Sequence, residues 1–224
     1  MDLRIIVLFI TTGVNLALAF FVLAKDRSRR INIYFALVLL SIAAWSFFLA
    51  LFCAAGSVGE LHALIPPIYI SAAFISLFFY LFCTSFPFDS ISMSKARWLV
   101  HFFLIAAVII VIIYVRVEKG IIFDKVWGHP TKVNALSYFI YSAYFLGYIC
   151  LSFFHLAKKL KVSTGYIKRL TAIVLYSTFF AALFGSIFDL FFPIVTYRFV
   201  WVGPLFTVAM VFIIVRYVFI KEPE

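Results

Sequence analysis

The chain has 224 residues, of which 66% are hydrophobic and only 12% charged, and its mean hydropathy is +1.15. Soluble domains run nearer half apolar and a quarter charged, so a water-soluble fold of this size could not hide so much apolar surface. Disorder is excluded by the 21% aromatic content, and a β-barrel by apolar runs that are continuous rather than alternating.

A membrane helix needs roughly 20 predominantly apolar residues to cross about 30 Å of hydrocarbon. Seven segments meet that length: Leu3–Ala24, Ile31–Ala55, Leu64–Phe86, Trp98–Val115, Leu136–Ala157, Leu170–Phe192 and Val200–Ile220. The expected fold is an all-α integral membrane bundle of seven transmembrane helices, one domain over residues 1–224. The first span is too long for a cleavable signal core, lacks a basic stretch before it and is followed by Lys-Asp-Arg-Ser-Arg-Arg, so it is expected to stay. Pro66 and Pro67 fall near the start of the third span and Pro204 in the first turn of the seventh, where proline is tolerated.

Direction follows from the basic residues. The segments Lys25–Arg30, Pro87–Arg97, Lys158–Arg169 and the C-terminal tail, with Arg216, hold thirteen lysines and arginines against six on the other face. That split places the N-terminus outside and the C-terminus in the cytoplasm. Trp98 and Trp201 fall at opposite boundaries, where an aromatic belt belongs. The formal charge of +10 then answers to anionic lipid at the inner face and not to nucleic acid.

Chemistry-bearing residues are few. Cys53, Cys83 and Cys150 lie at unmatched depths and read as packing residues. His62 and His129 fall outside, His101 and His155 near the inner boundary, and none has a second ligand at helical spacing, so no metal is expected. The fifth span carries a polar stripe: Tyr141, Tyr144, Tyr148 and His155 share an arc of about 60°. It either lines a cavity for a hydrogen-bonding apolar ligand or packs another helix. In the sixth span Ser177, Ala181, Gly185 and Asp189 recur every four residues, a small-residue face that lets helices approach closely. Asp189 is the only acidic residue well inside an apolar run; it either contacts a ligand or proton in an outward-opening pocket, or pairs with Arg198 or caps a neighbouring helix. No phosphate-binding loop, catalytic nucleophile setting or cofactor motif is present. A retinal protein is excluded, because Val200–Ile220 contains no lysine for a Schiff base.

The second half of the chain carries a more specific order. Ser163-Thr164-Gly165-Tyr166-Ile167-Lys168-Arg169 leads into the small-residue helix, which ends at Phe191-Phe192-Pro193. Val202-Gly203-Pro204-Leu205-Phe206-Thr207 then opens a last helix that closes on Val215-Arg216-Tyr217. With Tyr80-Leu81-Phe82 and Phe86-Pro87 at the end of span three, this order resembles the N-terminal seven-helix region of bacterial and archaeal sensor histidine kinases. The resemblance implies a non-catalytic sensory input module in the plasma or inner membrane of a prokaryote. The chain ends at Lys221-Glu222-Pro223-Glu224, before any phosphoacceptor or ATP-binding segment. No ligand carries over, because that family shares none.

Three functions follow as expectations. The first is a module that detects a small lipophilic ligand or the state of the membrane, with Asp189, Tyr141, Tyr144 and Tyr148 as ligand contacts. Arg216 and Tyr217 would be its output to a cytoplasmic kinase or other effector, and a kinase would bring homodimerisation. The second is a small transporter or channel, which predicts more than one intramembrane charge. The third is an assembly subunit of another membrane protein.

Overall fold

In the computed structural model the described residues are 2–87, 94–121, 131–192 and 199–220. Seven of their helices are long and apolar enough to cross a membrane. They are α1 (Leu3–Lys25), α2 (Arg30–Ala54), α3 (Val58–Ser85), α4 (Lys95–Ile110), α5 (Ala135–Val162), α6 (Gly165–Ser186) and α7 (Gly203–Ile214). Three of them continue in wider π-helical turns: α4 over Val111–Arg116, α6 over Ile187–Phe191 and α7 over Val215–Ile220. A 3-10 turn, Val200–Val202, precedes α7.

Each helix falls where an apolar run predicts one, with instructive differences at the ends. Helix α3 begins six residues before the predicted Leu64, because Ser57 accepts a hydrogen bond from the Glu60 amide (3.3 Å) while Glu60 Oε2 accepts from the Gly56 amide (2.8 Å). That reciprocal arrangement satisfies backbone donors that no helical turn reaches. Pro66 and Pro67 consequently sit well inside α3 rather than at its start. Helix α5 runs on to Val162 and takes Lys159 with it. The turn from α5 into α6 passes through Gly165 at φ 56°, a left-handed conformation that glycine adopts without steric cost.

Helix α1 packs on α2, α2 on α3, α3 on α5, α5 on α6 and α6 on α7, and α7 returns to α1 and α2. Helix α4 leans on the outside of this ring against α3 and α5 and buries little of its length. Between α4 and α5 lies a short antiparallel hairpin of β1 (Glu118–Ile121) and β2 (Thr131–Val133), with an irregularity in register between Glu118 and Gly120. The sequence shows this stretch only as a polar loop. Asn134 clamps its base by donating from its amide to Val117 O (2.7 Å) and from Nδ2 to Val115 O (3.3 Å). Arg116 at the entry has φ 58°, an uncommon conformation for a side-chain-bearing residue.

The core divides along the bundle. Toward the end opposite the hairpin, Phe35, Phe82 and Phe86 are almost wholly buried and in ring contact. Phe35 (α2) lies 5.1 Å from Phe82 (α3) and 5.1 Å from Phe219 at the end of the last helix. Two lysines tie helix ends together there. Lys159 Nζ donates to Cys83 O and Thr84 O at 2.8 Å each, and also to Phe86 O, capping the carbonyl end of α3. Lys25 Nζ donates to Phe219 O and joins α1 to the last helix.

Candidate functional site

The hairpin half of the ring encloses a cavity of about 130 Å³ among α2, α3, α5, α6 and α7. Its walls are largely apolar and aromatic, with Trp45, Tyr69, Tyr141, Phe145 and Phe79 among them. Tyr69 meets Tyr141 edge to face, with centroids 4.8 Å apart at 90°. Thr178 and Thr207 also line it, and each hydroxyl donates back to a carbonyl of its own helix, Val174 O and Pro204 O, at 2.6 Å.

Two carboxyl groups border this space. Asp189 sits in the π-helical turn that ends α6, with the Phe192 amide bonded to Ile187 O. Such turns concentrate at functional positions. The turn is pinned from α5, where the Tyr138 hydroxyl donates to Leu190 O (2.5 Å). Both carboxyl oxygens of Asp189 are shielded from solvent and have no hydrogen-bond partner among the described residues. The group lies directly against Gly203, the first residue of α7: a Cβ there would stand 1.7 Å from Oδ2. Glycine at 203 therefore makes room for the carboxyl group at a helix N-terminus, where the backbone dipole favours negative charge.

Glu118 is the second carboxyl group. Its side chain is buried under the hairpin, with Oε1 3.4 Å from His62 Nδ1 and 3.9 Å from Arg116 Nη1. Oε2 is buried with no partner among the described residues. A register irregularity such as the one beside it re-aims side chains, and here the exposed neighbour is Lys119 while Glu118 turns inward.

The expected site residues separate. Asp189 and Tyr141 line the cavity, as do Ala181 and Gly185 of the small-residue face; Ser177 does not, its hydroxyl bonding Ile173 O (2.7 Å). Tyr144 and Tyr148 face away from the cavity, toward α3 and α4. Tyr148 OH lies 2.6 Å from His101 Nδ1, and Tyr80 packs its ring against Tyr148, His101 and His155. Tyr144 stacks near Tyr148 (4.8 Å), its hydroxyl buried without a partner among the described residues. Arg216 and Tyr217 lie in the last π-helical segment at the far end of the bundle, the guanidinium 5.9 Å from the Tyr217 ring. Arg198, Pro193 and His129 fall outside the described residues. Sequence reasoning missed Glu118, hidden in what reads as a loop, and Gly203, whose role depends on a residue fourteen positions away. Comparison with known protein families, with characterised proteins and with solved structures finds no match for this chain.

Proposed function

We propose that the chain is a membrane-embedded sensory input module, its N-terminus outside and its C-terminus in the cytoplasm of a prokaryotic cell. A small lipophilic ligand enters the interhelical cavity and its occupancy is passed to the last helix. The observation that carries this reading is the Asp189 carboxyl group, buried at the cavity wall without a partner among the described residues and lying against the first residue of that helix. A ligand that engages Asp189 changes the group that sets the spacing of α6 and α7. Such a ligand shifts the bundle only as far as it binds one arrangement better than the other.

A contiguous route leads from the cavity to the output end. Phe79 lines the cavity and lies 6.4 Å from Phe82; Phe82 meets Phe35, and Phe35 stacks on Phe219, beside Tyr217. The effector, on the resemblance carried by Val202–Thr207 and Val215–Tyr217, is a histidine kinase. The test uses a filled cavity in place of ligand. Ala181→Leu should shift the distance between spin labels placed at Arg27 and Ile220, in a cysteine-free background in lipid nanodiscs. An unchanged distance distribution would remove the sensor reading.

One observation favours a transporter as the second reading: two carboxyl groups, Asp189 and Glu118, border the cavity instead of one. Intramembrane acids commonly mark ion or proton paths. Uptake of a labelled solute into proteoliposomes, abolished by Asp189→Asn, would select it.

A further inference from the structure

The cavity carries information about what fits it. Its volume of about 130 Å³ is close to that of an engineered apolar cavity of about 150 Å³ that admits benzene. An occupant of about six heavy atoms is therefore the right size. Asp189 and Glu118 are the two carboxyl groups on the wall, and no lysine, arginine or histidine lines it among the described residues. Glu118 has His62 and Arg116 beside one oxygen, whereas Asp189 offers two buried oxygens with no donor among the described residues. A buried carboxylate is costly unless it is paired and hydrogen-bonded. Aromatic faces, which attract a cation through the ring quadrupole, complete the wall with Trp45, Tyr69, Tyr141 and Phe145.

Resting on the cavity as the ligand site, we infer that its ligand is a small organic ammonium of about six heavy atoms. Its N–H groups donate to the Asp189 carboxylate and its hydrocarbon part fills the aromatic chamber. The acid supplies charge and direction, and the chamber limits size. An ammonium is thereby preferred over a neutral molecule of the same shape.

The experiment compares three molecules of matched shape on the full chain in lipid nanodiscs: cyclopentylamine, cyclopentanol and methylcyclopentane. Binding is read as the concentration that half-saturates the rise in thermal unfolding midpoint, at constant ionic strength. The amine should half-saturate at a concentration at least ~10-fold below either neutral molecule, as a charge-assisted hydrogen bond requires. Asp189→Asn should erase that difference, and Ala181→Leu should abolish binding of all three. If Asp189→Asn does not fold, Gly203→Ala decides, since it displaces the carboxyl group without removing it and should weaken the amine selectively. Equal binding of amine and neutral molecules overturns the ammonium assignment and leaves the cavity as a binding site. No binding by any of the three overturns both. Reproduction of the amine's effect by sodium chloride overturns the assignment in favour of an inorganic cation.

Discussion

Phe35 on α2 stacks on Phe219 near the end of the last helix, with ring centroids 5.1 Å apart and planes inclined by 23°. The Phe219 carbonyl is at the same time held by Lys25 of α1. One residue of the last helix is thus fixed by the first two helices, through packing on its side chain and a hydrogen bond on its backbone. Replacing Phe35 by Ala should destabilise the bundle by about 3–5 kcal/mol, mainly through the cavity left in packed surroundings. Phe102→Ala, on the exposed face of α4, should change little. Equilibrium unfolding in mixed micelles measures both.

Lys159 should matter for α3 more than for its own helix. Its ammonium satisfies three carbonyls at the end of α3, groups that otherwise lack an intrahelical donor. Lys159→Met keeps the aliphatic stem and removes the donors, and should cost about 1–3 kcal/mol. Lys159→Arg should recover part of it. Amide exchange at residues 81–86, read by mass spectrometry, should quicken in the Met variant.

The contact between Tyr148 and His101, at 2.6 Å, is one of the few polar ties between α4 and the ring. Tyr148→Phe and His101→Phe, singly and together, form a double-mutant cycle whose coupling energy should be about 1 kcal/mol. A coupling near zero would mean that α4 is held by packing alone.

The loop between α1 and α2 predicts a dependence on acid. Asp26 accepts from the Ser28 hydroxyl (2.6 Å) and the Ser28 amide (2.9 Å), and these bonds hold its carboxyl below the ordinary value of 3.8. A carboxylate with a lowered folded-state pKa stabilises the fold above its unfolded value and loses that contribution as pH falls through the folded one. Stability should therefore decline below about pH 4, and Asp26→Asn should flatten that decline without altering stability at pH 7 beyond the loss of the acceptor. Unfolding midpoints between pH 7 and pH 3 report the difference.

Apolar length made the seven helices legible, and their outer faces explain why it could not do more. The most apolar of the seven segments, Lys95–Arg116, is also the least buried, while Arg30–Ala54 is the most buried. For a helix facing hydrocarbon, hydropathy reports the solvent and says nothing about which neighbours it packs against. The peripheral place of α4 was therefore invisible, and so was the ring order. Asp189 stood out because a carboxyl group in an apolar run is conspicuous at any depth. Glu118 did not, because the hairpin that buries it is too short to announce itself in polar sequence. The start of α3 was legible after all in Ser57-Val58-Gly59-Glu60, a local capping pattern that a search for long apolar runs passes over. The tyrosine stripe on α5 occupies one helical face, yet Tyr141 reaches the cavity and Tyr148 reaches α4. Spacing fixes direction around a helix, but each depth of that face meets a different neighbour.

The π-helical end of α7 bears on anyone who extends this chain. A π turn holds one more residue than an α turn, so side-chain directions beyond Ile214 lag those extrapolated from Gly203–Ile214 by about 100° for each inserted residue. A reporter helix grafted at Ile220 by continuing the heptad phase of α7 would present the wrong flank to its partner. Graft junctions at this end should be screened through every rotational phase, one residue at a time.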